Sequence, residues 1–574
     1  MGINLKKIND ININVQERLI DLGNNELVTR LLVNRGYDES LVKALLNTGY
    51  SEEMPEFNNI TNVEIGADII GSHIANGSTI YIFGDYDSDG VNSAYILGDA
   101  INNAIYHSNS DATINIKLPE RSEGYGLNMK WCKELVANKT NDTLVITVDN
   151  GIAQDKEVAY LLENGIDVLI TDHHTPNGHT PENVWIIDAH YNDDNEDNKG
   201  LCGAGVAFKL AMTLLERYSE IDTDDLYYKY LIHVAIATIT DSMPMTIENI
   251  KYVYNGLQLL KDGYGSDAIN YYKQYNANTD LTPKDIAFGL GPQINACGRM
   301  NNTALALNYL FSDNEDVEDL YNEVVTTNEE RKSKTKSSIE YAEKTLDVNS
   351  PSIILELSNV EGIAGIIASN LSSKYNKCTI IFSKDHSGKY LIGSARSNGS
   401  IDILSLLRNL ETNAIVKVGG HSGACGLTIK ANKVNEFITA VNNAIMALPV
   451  VEIAQPESTN IVVDNYISIA DINKDNCDAL KDLFFFTETN PVFALTNVTI
   501  TKTKASNNNK NNMMFSIVDE DNNKLDFWSW GIGEQYRALG EPRNVTFVGE
   551  IEYKFGKPSF NILNIIPMEM IEIC

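Results

Sequence analysis

The chain has 574 residues, more than one hydrophobic core usually supports, so we expect several domains. Hydrophobic residues make up 43% and charged residues 21%, which is typical of globular proteins and excludes a wholly disordered chain. With 45 Lys and Arg against 78 Asp and Glu, the formal net charge is −33. A diffuse basic surface is therefore excluded, and any bound polyanion must be held by a few local Lys or Arg side chains or through metal cations.

Hydropathy and cysteine placement predict a cytoplasmic protein without membrane contact. No apolar run approaches the length of a transmembrane helix, and the first residues lack the apolar stretch of a secretory signal. The seven cysteines are scattered and never form a Cys-x-x-Cys pair. This pattern argues against a disulfide framework and against a thiolate zinc site, and it fits a reducing compartment.

The spacing of apolar residues changes along the chain. Residues 1–75 show helical spacing, and short β-rich runs then alternate with amphipathic stretches. The β-rich runs are 79–83, 143–148 and 167–171. This alternation is typical of a parallel α/β sheet. Residues 201–345 have mostly helical patterns and end in a long polar stretch that we predict to be a connecting helix, although its basic cluster is equally explained as a solvated charged face.

The last third of the chain predicts two more structural parts. Apolar runs at 353–357 and 378–382 flank a helical stretch and indicate a second α/β segment. Pro449 to Pro456 is predicted to be a linker. From about residue 459, short strands with turn signals every ten residues or so predict a small barrel or sandwich.

Acidic or histidine residues follow each β-rich run of the first α/β segment. A fourth apolar run, 234–240, is interpreted in the same way and ends at Asp241. The residues at these four positions are Asp85, Asp87, Asp89, Asp149, Asp172, His173, His174 and Asp241. Ligands of open parallel sheets gather beyond the carboxyl ends of the strands. Oxygen-rich sites with one or two imidazoles suit manganese or magnesium, and two such ions close together are a known device for phosphoester cleavage.

Two other interpretations of these residues stay open. Asp85-x-Asp87-x-Asp89-Gly90 resembles the start of a calcium-binding EF-hand loop, but Ile96 stands where that loop needs a glutamate, and a β-rich run rather than a helix precedes it. Asp149 alone, or the Asp172-His173-His174 group alone, is also explained as a turn or a helix cap. Four acidic positions together favour the metal site.

Four segments resemble the motifs of one enzyme family. GDYDSDG (84–90), VDNGI (148–152), TDHH (171–174) and ATITDSMPM (237–245) are similar to motifs of the DHH phosphoesterase superfamily, specifically of the RecJ single-stranded-DNA exonucleases. The likeness continues in the same order over nearly the whole chain. It includes PERSEGYGL (119–127), LCGAGVAFKL (201–210), FGLGPQINACGRMNN (288–302), GSARS (393–397) and GGHSGACGLTI (419–429).

The resemblance implies a fold class, a domain order and an activity. The fold is α/β, with a parallel-sheet DHH catalytic domain, a long connecting helix, an α/β DHH-associated domain and a C-terminal β-barrel of the OB-fold type. The implied bounds are 1–75 for an N-terminal helical segment and 76–312 for the catalytic domain. They are 313–348 for the connecting helix, 349–450 for the DHH-associated domain and 451–574 for the C-terminal barrel. The implied activity is metal-dependent 5′-to-3′ hydrolysis of single-stranded DNA to mononucleotides by a two-metal-ion mechanism, in recombination, repair or replication.

The resemblance also implies residue roles. The two divalent ions, manganese or magnesium, would be held by Asp85, Asp87, Asp89, Asp149, His173 and Asp241. Asp149 would bridge them, and His174 would face the scissile phosphate. A 5′-phosphate pocket would comprise Arg121, Arg299, Ser394 and Arg396, and further substrate contacts would come from Gly419, Gly420 and His421. Without the resemblance, an arginine is more simply a salt-bridge partner and His421 a structural histidine.

The resemblance leaves rival functions and some departures. A phosphodiesterase for short oligonucleotides or cyclic dinucleotides, or a non-catalytic scaffold that binds DNA or a helicase, are the alternatives. Glu361 occupies the usual RecJ histidine position. Aromatic residues of the terminal domain, such as Phe527 and Trp530, could stack on bases, although filling a barrel core is the favoured explanation for most of them. The implied partners are single-stranded DNA and a single-stranded-DNA-binding protein or helicase, and the chain is expected to be a monomer.

Overall fold

The computed structural model describes most of the chain in two compact units. The described residues are 2–8, 13–46, 56–176, 178–218, 220–276, 281–385, 387–399, 401–448, 458–481, 483, 490–507 and 509–570. The larger unit comprises Pro55–Met243 and Tyr252–Val451, and the smaller comprises Met1–Met54, Pro244–Lys251 and Glu452–Cys574. The predicted linker at Pro449 to Pro456 lies outside the described residues. Within the described ranges, the helices lack the combination of length and hydropathy that crossing a bilayer needs.

The N-terminal residues form one strand and three helices. They are β1 (Gly2–Lys7), α1 (Ile13–Asp21), α2 (Glu26–Asn34) and α3 (Glu39–Leu46). The sequence predicted helix for this segment, but β1 pairs in parallel with residues 458–463. A six-residue strand is too short to show a period of its own, and its partner lies more than 450 residues away in the sequence, so no local pattern could reveal it.

The larger unit contains a parallel sheet whose strands alternate with helices. Its elements are α4 (Val63–Ala75), β2 (Thr79–Phe83), α5 (Ser88–Ser108), β3 (Thr113–Lys117), α6 (Met129–Asn138), β4 (Thr143–Val148), α7 (Asp155–Glu163), β5 (Asp167–Thr171) and β6 (Trp185–Ile187). The strand order is β3-β2-β4-β5-β6, and every neighbouring pair is parallel. All six residues of β4 are buried, as a central strand covered on both faces requires. The predicted α/β class is therefore confirmed.

A helical region follows this sheet. It comprises α8 (Glu196–Lys199), α9 (Gly203–Leu215), α10 (Thr223–Thr240), α11 (Ile247–Asp262), α12 (Asp267–Tyr275), α13 (Pro283–Asp285), a π-helical turn (Ile286–Leu290), α14 (Gly291–Arg299), α15 (Thr303–Leu310) and α16 (Val317–Thr345). The interpretation of 234–240 as a strand is wrong, because these residues form the end of α10. Residues from Tyr230 to Ile239 are all buried, and a helix buried on every side shows no amphipathic period in its sequence.

The long helix α16 joins the helical region to the second α/β segment. Its 29 residues span about 43 Å at 1.5 Å per residue. Tyr321 and Val324 are buried near its N-terminal end. Near its C-terminal end, Ala342 belongs to an apolar cluster with Ile353 and Ile367 of the second α/β segment. The predicted long helix is therefore present, and each end is anchored in a different core.

The second α/β segment has a mixed five-stranded sheet. Its elements are β7 (Ile353–Glu356), α17 (Ala364–Tyr375), β8 (Thr379–Lys384), β9 (Tyr390–Arg396), α18 (Ile403–Arg408), β10 (Ile415–Gly420), β11 (Ala424–Lys430) and α19 (Val434–Ala447). The strand order is β10-β11-β9-β8-β7. Only the β7–β8 pair is parallel, because α17 crosses between these two strands, whereas turns join the others.

The smaller unit is built on an antiparallel sheet. Its C-terminal elements are β12 (Ser458–Val463), β13 (Asn465–Ile467), α20 (Lys474–Leu480), β14 (Phe493–Ala505), β15 (Met513–Val518), β16 (Lys524–Ser529), α21 (Gly533–Ala538), β17 (Asn544–Lys554) and β18 (Lys557–Pro567). The order is β16-β15-β14-β17-β18, with β13 beside β14. Ile562 N donates to Ser529 Oγ at 3.0 Å, which ties β18 to β16 and curls the sheet into a barrel. The predicted terminal barrel is confirmed.

Candidate active site

The loop after β2 places three aspartates at the carboxyl edge of the parallel sheet. Asp87 caps α5, and its Oδ1 accepts hydrogen bonds from Asp89 N at 3.1 Å and Gly90 N at 3.2 Å. A Cβ on Gly90 would lie 2.6 Å from the backbone N and O of Asp85, so this position requires glycine. The tight turn thereby holds Asp85, Asp87 and Asp89 side by side.

The N-terminus of α9 fixes two of the buried carboxylates. Gly203 N and Ala204 N donate to Asp89 Oδ2 and Oδ1, at 2.7 and 2.8 Å. Asp149 follows β4 in the left-handed region, with φ 59°. A Cβ on Gly203 would lie only 2.6 Å from Asp149 Cβ. The backbone of α9 therefore packs directly against Asp149 while it binds Asp89.

His173 lies among the carboxylates. Its Nε2 is 3.1 Å from Asp149 Oδ1, 3.6 Å from Asp89 Oδ2 and 3.9 Å from Asp241 Oδ2. Three overlapping groups have ligand atoms close enough to share one cation. They are Asp85, Asp87 and Asp149; Asp89, His173 and Asp241; and Asp149, His173 and His174. Asp149 belongs to two of these groups, and so does His173.

The electrostatics of this cluster favour a bound cation. Burial, followed by neighbouring carboxylates, raises the pKa of Asp85 and of Asp149 well above the ordinary range. Burial, with Asp89 and Asp87, raises the pKa of Asp241 to about 8, and burial lowers the pKa of His173. Asp85 Oδ1 is buried without a hydrogen-bond partner. A divalent cation would supply both the missing partner and the missing positive charge, so the residues present fit such an ion.

His174 has a different environment from His173. Its Nδ1 lies 2.8 Å from Asp172 Oδ1, and its Nε2 lies 3.3 Å from the Tyr125 hydroxyl. Although burial opposes protonation, the hydrogen bond to Asp172 raises the pKa of His174 to about 9. Asp172 Oδ1 also accepts from His173 N, and its Oδ2 accepts from Ile152 N. The structure therefore holds the half-exposed His174 beside the carboxylates, with its ring oriented by Asp172.

Arginines form a second cluster close to the carboxylates. The Arg121 guanidinium lies 4.3 Å from the centre of the Tyr86 ring, and a Cβ on Gly298 would lie 2.3 Å from Tyr86 O, which places Arg299 beside the same loop. Arg299 Nη1 donates to Gly362 O at 3.2 Å. Burial, followed by the charge of Arg121, lowers the pKa of Arg299 to about 10. Positive charges are thus crowded at this point.

The second sheet contributes the remaining substrate-binding candidates. Arg396 Nη1 donates to Ala395 O, and a Cβ on Gly365 would lie 2.8 Å from Arg396 Nη2 and 3.5 Å from Ser394 Oγ. Ser394 pairs with Gly426, which pairs with Gly419 on the next strand, so these three share one face of the sheet. Built Cβ atoms at both glycines would meet open space.

Two further candidates lie at the turn between β10 and β11. Gly420 has φ 136°, a region open mainly to glycine, and it pairs with Cys425. His421 N donates to Ala424 O at 2.8 Å, which closes the turn. Gly419, Gly420 and His421 therefore belong to the second sheet and its turn, whereas the carboxylates belong to the first sheet. Their role as substrate contacts stays a prediction.

The structure brings the predicted metal ligands together, although their assignment as ligands stays a prediction. Sequence reasoning placed Asp172 in the acidic group without a role of its own, and it gave no role to Tyr125 or Gly203. Asp172 stands two positions before His174, and the hydrogen-bonding need of an exposed imidazole could have indicated it. Tyr125 and Gly203 lie within segments noted for their family likeness, but only the fold shows what they contact.

Comparison with known proteins gives matches to three family models in different parts of the chain. The DHH family, N-terminal domain, matches residues 79–238, the DHHA1 domain matches 351–447, and the RecJ OB domain matches 463–558. The chain is 27% identical over 452 residues to the single-stranded-DNA-specific exonuclease RecJ of Escherichia coli, covering 75% of this chain and 76% of that protein. It is 28% identical over 494 residues to RecJ of Bacillus subtilis, covering 84% of this chain and 60% of that protein.

Solved structures agree with the fold. The crystal structure of RecJ in complex with Mn²⁺ from Thermus thermophilus matches with a TM-score of 0.78 and 19% identity, over 100% of this chain and 80% of that chain. A crystal structure of exonuclease RecJ bound to manganese matches with a TM-score of 0.59 and 25% identity, over 69% of this chain and 97% of that chain. The similarity therefore extends from the sequence motifs to the three-dimensional arrangement.

Proposed function

This chain belongs to the DHH family and is of the RecJ type, and on this premise we propose that it is a metal-dependent exonuclease that hydrolyses single-stranded DNA from the 5′ end to mononucleotides. The observation that carries the proposal is the cluster in which buried carboxylates and His173 offer ligand atoms to more than one cation. Curated relatives with the same domains are named single-stranded-DNA-specific exonucleases.

We assign two divalent ions, manganese or magnesium, to this cluster. Two such ions supply an activated water and neutralise the negative charge that develops on a phosphodiester. Asp149 is suited to serve both ions because its carboxylate is grouped with those of Asp85 and Asp87 and also lies 3.1 Å from His173 Nε2. The other ligands in this assignment are Asp85, Asp87, Asp89, His173 and Asp241. The backbone N–H groups of α9 keep Asp89 oriented, so the ligand set is held before any ion binds.

In this proposal His174 handles a proton rather than a metal. The hydrogen bond to Asp172 raises the pKa of His174 and so favours the protonated imidazole, which can donate to a phosphate oxygen or to the leaving 3′-oxygen. Asp172 orients the ring through Nδ1 and stabilises its charge. Asp172 is thus a positioning residue, whereas His174 contacts the substrate.

The polarity of digestion is assigned to the arginine cluster. Arg121, Arg299 and Arg396, with Ser394, present donors suited to the terminal phosphate of a 5′ end. Their present partners include the carbonyl oxygens of Gly362 and Ala395, so their charge is not neutralised by those contacts. A strand whose 5′-phosphate is held there would present its first phosphodiester to the carboxylate cluster.

Several finer statements belong to the same proposal. The domain bounds, 76–312 for the catalytic part and 349–450 for the associated part, follow the family likeness. A cytoplasmic location, a monomeric state, and a single-stranded-DNA-binding protein or helicase as partner are proposed on the same ground. Among the two rivals, a short-substrate phosphodiesterase has no evident use for the terminal barrel, and a scaffold has no evident use for a complete set of metal-ligand side chains.

The test is digestion of a 5′-phosphorylated, 3′-labelled single strand with Mn²⁺, beside Asp149→Ala. Progressively shorter fragments that keep the label, together with an inactive Asp149→Ala variant, are the expected result. Cleavage limited to oligomers of a few nucleotides would favour the short-substrate rival. Binding of the strand without any cleavage would favour the scaffold. Circular dichroism of both proteins controls for loss of folding in the variant.

A further inference from the structure

A buried histidine on α10 is linked to the loop of the candidate metal ligands through one intermediate side chain. His233 and Asn92 are both fully buried. His233 Nδ1 lies 2.7 Å from Asn92 Oδ1, and Asn92 Nδ2 donates to Ser88 O at 2.6 Å. Ser88 lies between Asp87 and Asp89 in the sequence. The hydrogen bonds that start at His233 therefore end in the backbone of the aspartate loop, and the proposed function gives His233 and Asn92 no role.

The peptide group between Ser88 and Asp89 is the point where this link meets the metal ligands. Its oxygen accepts from Asn92 Nδ2, and its N–H donates to Asp87 Oδ1 at 3.1 Å. Because a peptide group is planar, a rotation that breaks the first hydrogen bond also weakens the second. Ser88 N is held separately, since it donates to Asn295 Oδ1 at 2.8 Å. The orientation of the Asp87 carboxylate therefore depends on the hydrogen bond from Asn92.

The amide of Asn92 determines which atoms donate along this link. Because its Nδ2 donates to Ser88 O, its Oδ1 faces His233 and can only accept, so His233 Nδ1 carries the proton. His233 Nε2 lies 3.2 Å from Ser266 Oγ and accepts from that hydroxyl. Burial, followed by the charge of Lys229, lowers the pKa of His233 to about 3, in agreement with a neutral ring that has a single N–H. That single N–H points to Asn92.

The imidazole of His233 is itself held in place by a second residue of α5. The ring centre of Tyr95 lies 4.2 Å from that of His233, with an angle of 32° between the planes. Tyr95 follows Asn92 by three positions on α5, so both side chains face α10 from the same side of the helix. The ring stack and the contact with Ser266 Oγ leave Nδ1 one direction in which to donate.

We propose that His233 is a positioning residue for the metal site. By fixing the amide of Asn92, it holds the peptide group that follows Ser88, and that peptide group orients the carboxylate of Asp87. The inference rests on the proposed function, because that function assigns a cation to the aspartates of this loop. Helix α10 also ends at an assigned ligand, so one helix supplies a ligand and orients another.

The test compares the Mn²⁺ affinity of the full chain, measured by calorimetry, in the wild type, His233→Asn, His233→Gln and His73→Gln. Asparagine places its amide nitrogen where histidine has Nδ1, whereas glutamine reaches towards the position of Nε2. We expect His233→Gln to weaken Mn²⁺ binding by about 10-fold and His233→Asn to keep most of the affinity. His73 contacts Ser78 and Asp167 at the amino-terminal edge of the same sheet, so His73→Gln should bind Mn²⁺ as the wild type does.

A purely structural role of His233 predicts the reverse order of the two variants. Asparagine is the smaller side chain and leaves the larger cavity, so packing alone makes His233→Asn the more damaging substitution. A greater loss of Mn²⁺ affinity in His233→Asn, or an equal loss in both variants, would overturn the inference. Thermal unfolding in EDTA is measured in parallel, so that affinities are compared at a temperature at which every variant is folded.

A second variant tests the route through Asn92. In an Asn92→Ala background, His233→Gln should cause no further loss of Mn²⁺ affinity, because the imidazole then has no link to Ser88. Additive losses would contradict the proposed route. If the wild type binds Mn²⁺ but cleaves no single strand, the proposed function fails, whereas the order of the affinities still decides the role of His233. A wild type that binds no Mn²⁺ would overturn both.

Discussion

The substitution Gly203→Ala tests how closely α9 positions the candidate metal ligands. The added Cβ would lie 2.6 Å from Asp149 Cβ and 3.0 Å from Asp149 Cα. Carbon atoms in contact prefer about 3.5–4.0 Å, so the two residues must separate by about 1 Å. Because Gly203 N also binds Asp89, that movement either displaces Asp149 or weakens the hydrogen bond to Asp89.

The expected effects are a large loss of activity and a moderate loss of stability. A shift of about 1 Å in a catalytic group can lower the rate by about 100-fold. Overpacking of a buried site costs about 1–3 kcal/mol, which lowers Tm by a few degrees in a chain of this size. Both follow from the same short contact, so they should appear together.

The assay is kcat for a 5′-phosphorylated single strand with Mn²⁺, together with thermal unfolding. Gly205→Ala is the matched control, because it adds the same methyl group to the same helix. There the nearest atom is the Leu201 Cδ2 at 3.1 Å, which belongs to a flexible side chain. Wild-type kcat in Gly203→Ala, or equal losses in both variants, would refute the reasoning.

Three further predictions concern charge, pH and the terminal barrel. Asp85→Asn should raise the stability of the metal-free protein, because burial and the charge of Asp87 raise the pKa of Asp85 and so disfavour its charged form. Thermal unfolding in EDTA measures this, and a lower Tm would contradict it. His233 is buried between Asn92 and Ser266, and burial lowers its pKa to about 3. Its contribution to the free energy of unfolding is therefore complete above pH 6.5 and declines as the pH falls below that value. Urea unfolding of the wild type should show a loss of about 2 kcal/mol at pH 5. His233→Gln should lack this part of the pH dependence. A variant that unfolds with the same pH slope as the wild type would disprove the assignment. Trp530 is 42% exposed and contacts the more exposed Phe555, so Trp530→Ala should weaken single-strand binding by about 1–3 kcal/mol, whereas the equally exposed Tyr466→Ala should not.

The sequence predicted the carboxylate cluster well because each ligand except Asp241 follows a strand that is recognisable by itself. Parallel strands bring their carboxyl ends to one edge, so Asp85, Asp149 and His173 had to converge once the strands were identified. Asp241 was grouped with them by a mistaken strand, yet the buried end of α10 places it at the same edge. The order of the family motifs along the chain supported the grouping of Asp241 with the other ligands, which the local apolar pattern could not justify.

Other features depend on contacts between residues that are far apart in the chain. The proximity of Gly203 to Asp149, and of Gly362 to Arg299, is decided by packing rather than by any local period. Glu361, at the unusual position in the motif, accepts from Ser383 Oγ at 3.4 Å, which the sequence did not suggest. The terminal aromatics also divide: Phe527 fills the barrel core, as favoured, whereas Trp530 and Phe555 are exposed.

The parallel pairing of β1 with β12 has a consequence for synthesis of the chain on the ribosome. Gly2 pairs with Ser458, and the Arg35–Asp464 ion pair joins the same two regions. At about 5–20 residues per second, β1 would wait on the order of 20–90 seconds for its partner strand to be translated. During that interval its backbone N–H and C=O groups remain open to other strands. Folding of the smaller unit is therefore expected to be completed only late in translation, after the larger unit has had time to form.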